Sequence, residues 1–566
     1  MSRGARTAPA VRASVAARDE HGLTRFTALA IARVDLAMAS KLAVDYSLYL
    51  VTGRDLLPSG KDYLESLEES LQGGVTLVQI REKNTDTGEF LEIAKQSRAI
   101  CHKYNVPILI NDRVDIALAM GADGVHIGQT DMPISIARSL LPPNAIIGMT
   151  CNTAEHVRQA VKDGADYVGI GPVWATQTKK VAHPVVGVRG LGEMLEVLDG
   201  TDIKAVAIAG IKSTNALHCL HGGVSRTGHP LDGLAVVSDI VASTEPRLAS
   251  HRLATVIRAF KARPLHRFSL SESSGYTRES LLKSVGSILA AIKQNSPLVH
   301  QITNNVVTTQ SANATLALGA SPIMATSPEE MEDLGKIPGA LLINFGTIQN
   351  LDGMLAAGRH ANSKKKPIVF DPVGVGATKY RRESANTLLN TWQATVIKGN
   401  AGELAALGNS SEVQAKGVDS VGQGFADPAA FVRNLACKER CIIVLTGVTD
   451  WVSDGTTVVK LSNGHPLLGD ITGSGCMVGT SVATFCAGAS LTAAATRSSD
   501  QEDGVLARGD MLAAAVGGVL AITIASEIAA ARPDVKGSGT FLPAFIDELG
   551  QLTEEKIMNA ANIQIE

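Results

Sequence analysis

This chain has few aromatic residues, little net charge and no paired cysteine spacing, and each shortage excludes something. Phe, Tyr and Trp make up 4% of the 566 residues, too few for a base-stacking platform. The formal net charge of −3 lacks the basic excess of a dedicated nucleic-acid binder. The 7 cysteines (Cys101, Cys151, Cys219, Cys437, Cys441, Cys476 and Cys486) are odd in number and scattered. They do not form a disulfide framework and suit a reducing, cytoplasmic compartment. Apolar and small residues are plentiful, at 45% hydrophobic with 54 Gly. At about 100–200 residues per domain the chain exceeds one core. Its many glycines suit an α/β enzyme whose backbone comes close to its ligands.

Metal and membrane readings fare poorly. His218-Cys219-Leu220-His221 crowds three donors into four residues, a spacing that does not converge on one ion from a regular helix. It reads as a helix end running into Gly222-Gly223. From Ile471 to Thr496 no residue is charged, which is long enough to span a bilayer. Its Ser, Thr, Gly and Ala content instead predicts a buried helix, as does the similar stretch Met511–Ser526, so no membrane partner is expected. The first 45 residues mix six arginines between Arg3 and Arg33 with Asp19, Glu20 and Asp35. The acids favour a disordered tail over an organelle transit peptide.

Beyond residue 46, eight short β-type runs alternate with helix-like stretches: Leu48–Val51, Val75–Ile80, Pro107–Ile110, Gly124–Ile127, Ala145–Met149, Asp166–Ile170, Ala205–Ala209 and Gly233–Val237. Strand-helix alternation implies right-handed crossovers and a parallel sheet, and eight units predict a (β/α)8 TIM barrel over 46–242. Polar residues follow the runs consistently: Gln79, Arg81 and Lys83; Asn111 and Asp112; Gln129 and Asp131; Thr150; Thr176, Gln177, Thr178 and Lys179; Gly210; Val237-Ser238. Turn chemistry explains any one of these and explains the set poorly. Arg81, Lys83 and Lys179 suit phosphate oxygens, and Asp112 with Asp131 suits Mg2+. Gly210 and Val237-Ser238 offer backbone N–H groups where barrels commonly bind phosphate. A diphosphate end and a monophosphate end point to displacement of diphosphate by a phosphorylated nucleophile.

The motifs Gln79-Ile80-Arg81-Glu82-Lys83, Ile110-Asn111-Asp112-Arg113, Gly124–Asp131, Gly169-Ile170-Gly171-Pro172-Val173 and Thr176-Gln177-Thr178-Lys179 occur in order. Together they resemble thiamine-phosphate synthase. The resemblance implies that Gln79, Arg81, Lys83, Asn111, Thr150 and Lys179 hold a hydroxymethylpyrimidine diphosphate. Asp112 and Asp131 would hold Mg2+, and Thr176, Gln177, Thr178, Gly210, Val237 and Ser238 a hydroxyethylthiazole phosphate. The stretch 221–232 is longer than a short barrel loop needs, and no chemistry is assigned to it.

Residues 243–277 read as one helix plus an exposed linker. From 278 to 566 long Ala/Leu helices accompany a second strand series: Leu341–Asn344, Pro367–Phe370, Thr395–Ile397, Cys441–Leu445 and Thr456–Leu461. No eightfold regularity appears, so a layered α/β domain is expected. Gly473-Ser474-Gly475-Cys476 precedes the long Ala-rich run, which makes an anion hole at a helix N-terminus and a lowered thiol pKa the expectation. Asp371-Pro372-Val373-Gly374, Lys398–Glu403 and Val444–Gly447 each end a strand. Pro297–Val306 and Gly319–Met324 lie upstream.

This set resembles hydroxyethylthiazole kinase, of the ribokinase-like group. The resemblance implies that Met324 and Gly473 contact the thiazole alcohol and that Lys398 and Thr446 contact ATP. It places Cys476 at the catalytic position and Glu403 near Mg2+, with Asp371 a weaker metal candidate. Lys398 stands where bacterial relatives often have Arg. The paired arrangement resembles the bifunctional fungal thiamine-biosynthesis enzymes, with small-molecule substrates and homo-oligomers formed through the kinase domain. The alternative is a synthase fused to a hydroxymethylpyrimidine-phosphate kinase, which the Val299–Val306 motif and Gly473–Cys476 argue against. A non-catalytic metabolite sensor is the other alternative, and the presence of Asp112, Asp131, Lys83 and Cys476 argues against it. The stretch 497–509 reads as an insertion of no obvious role.

Overall fold

The computed structural model describes residues 44–176, 184–263, 275–416, 419–421, 424–495 and 502–566. The tail up to residue 43 and Gln177, Thr178 and Lys179 lie outside the described residues. The chain divides into two compact units: Met1–Ile170 with Gly200–Ile208 and Asp232–His251, and Gly171–Asp199 with Ala209–Leu231 and Arg252–Glu566.

The first unit contains a closed parallel barrel of eight strands in sequence order. These are β1 (Leu48–Val51), β2 (Leu77–Ile80), β3 (Ile108–Asn111), β4 (Gly124–Ile127), β5 (Ile146–Cys151), β6 (Tyr167–Ile170), β7 (Lys204–Ile208) and β8 (Gly233–Val236). All eight anticipated runs are strands. Their period of two sends Tyr49, Leu77, Leu109, Ile146, Tyr167, Val206 and Ala235 into one interior core. The intervening Val78, Ile80, Ile108 and Ile110 are fully buried on the outer face. Large rings fit inside because a neighbour is small: a Cβ on Gly148 would stand 2.0 Å from Tyr167 Cζ. Crossover helices start at polar caps such as Asp62 and Thr153, which accept from Glu65 N and His156 N.

In the second unit a nine-stranded sheet has the order β10-β9-β11-β12-β13-β16-β17-β18-β19. The strands are β9 (Leu298–Ile302), β10 (Ser321–Ile323), β11 (Gly339–Asn344), β12 (Ile368–Asp371), β13 (Val396–Asn400), β16 (Ile442–Thr446), β17 (Asp450–Ser453), β18 (Val458–Leu461) and β19 (Ile563–Ile565). A separate two-stranded ribbon joins β14 (Gln414–Lys416) and β15 (Asp419–Val421). The sheet is parallel from β10 to β16, and its last three neighbour pairs are antiparallel. Alternate residues feed two cores. Ala340, Leu342, Val369, Val396 and Val444 join helices Arg278–Asn295, Ser474–Ala495, Met511–Ala530 and Ser538–Gly550. Leu341, Ile343, Phe370, Ile397 and Ile443 join helices Leu351–Ser363, Lys379–Thr391, Ala401–Gly408 and Pro428–Glu439. This is the expected layered α/β sandwich.

The strands β9, β10, β17 and β19 were not anticipated. In β9 the polar pair His300-Gln301 masks a buried strand. The pair is tolerated because His300 Nε2 bonds Ala325 O (2.9 Å), Gln301 Nε2 donates to Thr315 Oγ1 (2.7 Å) and Gln301 Oε1 accepts from Thr480 (3.1 Å). Helix Ser474–Ala495, which has no charged residue, and helix Met511–Ala530, which carries Glu527 alone, are long and apolar enough to cross a membrane, but most of their residues are buried inside this unit. His218, Cys219 and His221 sit on a short buried helix, Ala216–Gly222. His221 Nε2 bonds Arg440 O (2.7 Å) and its carbonyl accepts from Arg440 Nε (2.9 Å), a packing role. Among the described residues no cluster of three or more metal-ligating side chains occurs.

Candidate active sites

In the barrel unit the strand ends place the candidate residues by register. Asn111 pairs with His126 across β3 and β4, and Thr150 with Gly169 across β5 and β6. Asp112 follows β3 in the left-handed region (φ 59), which Asp tolerates better than most residues. Its N–H donates to His126 O (2.8 Å). Lys83 Nζ donates to Asp112 Oδ2 in an ion pair whose side chains are 42% and 20% exposed. Asp131 Oδ2 accepts from Gly128 N (2.7 Å). Burial, followed by its hydrogen bond with Asp112, raises the Asp131 carboxyl above its ordinary value. Two neighbouring carboxyl groups are a donor set for a hard cation, so the residues fit Mg2+.

The arginine and the amides are also anchored. Arg81 N donates to Thr52 Oγ1 (3.0 Å), and Gln129 Nε2 to Thr150 O (2.6 Å). Gln79 is buried, with Nε2 on Tyr49 Oη (2.6 Å). Val237 and Ser238 lie where β8 runs into the short helix Ser238–Val241. Thr176 and Gly210 belong to the other compact unit. There the Gly210 carbonyl accepts from Asn215 Nδ2 (2.9 Å).

In the second unit Lys398, Asp371 and Cys476 are linked through a buried ion pair and its neighbours. Lys398 Nζ, on β13, lies 3.1 Å from Asp371 Oδ1 at the end of β12, with side chains 5% and 0% exposed. Burial would lower the ammonium pKa, but Asp371 and then Glu403 outweigh it and hold Lys398 above its ordinary value. Burial raises Asp371, with Lys398 opposing. Asp371 Oδ2 accepts from Asn344 Nδ2 (2.9 Å), and Asn344 Oδ1 from Asn304 Nδ2 (2.8 Å). Asn304 Nδ2 also reaches Cys476 Sγ (3.6 Å). One polar line therefore joins Lys398 to the first turn of helix Ser474–Ala495. Gly473 enters that turn at φ +85, where a Cβ would meet Val307 Cγ1 at 2.4 Å.

One expectation is corrected. The helix N-terminus was to lower the Cys476 thiol, yet burial and the neighbouring Asp371 carboxylate push it up, more than Lys398 pulls it down. Glu403 is also more structural than its sequence reading. Its two oxygens accept from Gly374 N (2.9 Å) and Asn400 N (2.9 Å), while Asn400 Oδ1 caps the helix in return. With both oxygens so engaged, the residues fit a largely hydrated Mg2+ carried on phosphate rather than a protein cage. Thr446 ends β16 opposite Asn400. Next to it Asp450 accepts from Gly447 N (2.9 Å), and burial pushes its carboxyl up to about 7. Met324 directly follows β10.

Sequence reasoning missed Tyr49, Tyr167 and His126 in the barrel, and Asn304 and Asn344 in the sandwich, as members of these networks. A signal existed for Asn344, since it ends a run and ligands gather outside the carboxyl ends of α/β strands.

A barrel with cations and paired carboxylates at its strand ends, and a layered α/β domain with a Gly-x-Gly-Cys helix start, define a two-activity transferase. The family model described as "Thiamine monophosphate synthase" matches residues 48–240, and that described as "Hydroxyethylthiazole kinase family" matches 289–555. A "Probable thiamine biosynthetic bifunctional enzyme" of Schizosaccharomyces pombe is 40% identical over 526 residues, covering 91% of this chain and 97% of that one. A "Thiamine biosynthetic bifunctional enzyme" of Saccharomyces cerevisiae is 37% identical, with the same coverages. A "Hydroxyethylthiazole kinase" of Histophilus somni is 41% identical over 280 residues, 49% of this chain and 98% of its own. The chain belongs to the thiamine biosynthetic bifunctional enzymes, a thiamine-phosphate synthase fused to a hydroxyethylthiazole kinase. The kinase match sets aside the hydroxymethylpyrimidine-phosphate kinase alternative.

Proposed function

We propose that residues 46–242 and 278–566 carry out consecutive steps. The sandwich transfers the γ-phosphoryl of ATP to the primary alcohol of the hydroxyethylthiazole, and the barrel consumes the resulting phosphate. In the barrel the C–O bond between the pyrimidine methylene and diphosphate breaks, and the thiazole nitrogen bonds to that methylene. Arg81, Lys83 and Lys179 neutralise the departing diphosphate, and Gln79, Asn111 and Thr150 hold the pyrimidine. Thr176, Gln177, Thr178, Gly210, Val237 and Ser238 orient the thiazole phosphate. Mg2+, held by Asp112 and Asp131, supplies charge stabilisation to the diphosphate when bound. The observation carrying this reading is the Lys83–Asp112–Asp131 cluster at the strand ends.

In the sandwich Lys398 and Thr446 serve ATP, Met324 and Gly473 the thiazole alcohol, and Glu403 lies toward its Mg2+. Cys476 takes the alcohol proton as oxygen attacks phosphorus, aligned by Asn304 and Asn344. The enzyme works in the cytoplasm, as a homo-oligomer through the kinase domain, without nucleic-acid or membrane partners. Seven free cysteines support the reducing compartment. A coupled assay tests the whole: thiazole alcohol, ATP, Mg2+ and pyrimidine diphosphate yield thiamine phosphate, and omission of ATP abolishes it. Thiamine phosphate formed without ATP from the free alcohol would defeat the sequence of steps.

A further inference from the structure

Five side chains from five strands form one hydrogen-bonded line through the barrel interior. Gln79 Nε2 donates to Tyr49 Oη (2.6 Å), and Tyr49 Oη lies 2.7 Å from Tyr167 Oη. Tyr167 Oη lies 2.7 Å from His126 Nδ1, and His126 Nε2 lies 2.8 Å from Thr150 Oγ1. Both ends, Gln79 and Thr150, are residues assigned above to the pyrimidine diphosphate. The three interior members are not among the residues assigned above to a ligand.

Such a line has a polarity. A phenol has one proton to give, and a neutral imidazole one donor and one acceptor. Burial holds both phenols above their ordinary pKa, so each keeps its proton. With the Gln79 amide donating, Tyr49 passes its hydrogen to Tyr167 and Tyr167 to His126 Nδ1. The ring proton then sits on Nε2 and is donated to Thr150, whose own hydroxyl hydrogen is left over. Gln79 Oε1, which accepts no hydrogen bond among the described residues, is the amide's remaining group. Reversing every link would instead turn the Gln79 carbonyl onto Tyr49 and leave its NH2 over. The two directions therefore present opposite hydrogen-bonding faces to a ligand. Packing holds the line in place: the Tyr49 and Tyr167 rings meet edge-on at 5.9 Å, and Gly148 makes room for Tyr167.

We propose that this buried line is a specificity device, fixing Gln79 with its carbonyl oxygen toward the substrate so that the synthase accepts an aminopyrimidine and rejects its oxo counterpart. Tyr49, Tyr167 and His126 are positioning residues. The proposal rests on the reading that Gln79 faces the pyrimidine. An oxo group there would set acceptor against acceptor and leave one buried oxygen unpaired, a discrimination of about ten- to hundredfold.

The test compares kcat/KM of the full-length enzyme for the 4-aminopyrimidine diphosphate and its 4-oxo analogue, in wild type, Tyr49→Phe and Tyr167→Phe. Wild type is expected to prefer the amino substrate by at least about tenfold. Each Phe variant keeps the ring and lowers that preference severalfold, mainly through the KM of the amino substrate, and the double variant does no worse than either single one. Kinase turnover of the same preparations stays at the wild-type rate. An unchanged preference in both variants overturns the proposal and leaves the synthase reading standing. Absence of thiamine phosphate from wild type and the amino substrate removes both. A second readout needs no variant: 15N NMR of the His126 imidazole is expected to show the proton on Nε2, and a proton on Nδ1 overturns the proposal.

Discussion

The two candidate sites share one motif, a lysine on an aspartate, in opposite placements. In the barrel the Lys83–Asp112 pair is half-open to solvent, with side chains 42% and 20% exposed. In the sandwich the Lys398–Asp371 pair is sealed, at 5% and 0%. An exposed pair contributes little to stability and is free to re-pair with a ligand. A buried pair is bound up with the fold, because removing one partner strands the other charge. Synthase chemistry is thus separable from barrel stability, whereas the kinase centre is partly a structural element.

Asp371→Ala should show the largest effect, losing kinase turnover together with about 3–5 kcal/mol of stability. Denaturant unfolding alongside the kinase assay checks it, and wild-type stability would break the contrast. Asp112→Ala should cost the synthase at least about a hundredfold in kcat while moving stability by under about 1 kcal/mol. Kinase turnover, measured on the same sample, should not change. Cys476→Ser should lower kinase kcat about a hundredfold with little change in KM for the alcohol. Because the thiol is pushed above its ordinary value of 9.0, wild-type kcat should climb with pH toward the alkaline side. A pH profile should show the serine variant without that limb, and a climb that survives the substitution would assign it to another group.

The smallest effect concerns Asp450, whose carboxyl rises from an ordinary 3.8 to about 7. Between those values the folded state keeps a proton that the unfolded chain has lost, so stability falls as pH rises through the window. The slope is on the order of 1 kcal/mol per pH unit. Asp450→Asn should flatten it, as thermal melts at pH 4, 5.5 and 7 would reveal. An unaltered slope would show that burial at this position is not felt as a titration.

The barrel was almost wholly legible in the sequence. Its strands are short, apolar and β-rich, and several end in polar clusters such as Gln79–Lys83 or Asn111-Asp112. The sandwich was less so. β9 carries His300 and Gln301 inside a core, and only their partners Ala325, Thr315 and Thr480, all distant in sequence, make that burial affordable. The Cys476 thiol was misjudged for a related reason. A helix start is visible in Gly-Ser-Gly-Cys, but the carboxylate of Asp371, over 100 residues away, is not. Interior partners such as Tyr49 and Tyr167 read as ordinary core residues until the barrel closes and brings their hydroxyls together.

Strand β19 bears on the timing of synthesis. It pairs with β18 through Ile565 with Val459 and Ile563 with Leu461, so β18 lacks one neighbour until about a hundred further residues have left the ribosome. Helices Ser474–Ala495 and Met511–Ala530, both strongly apolar, emerge within that interval. The barrel also waits, since β1 pairs with β8 through Leu48 with Leu234 and closes only once β8 has appeared. The kinase half is therefore where a nascent chain holds long apolar helices beside an open sheet edge, and where chaperone capture of this enzyme should concentrate.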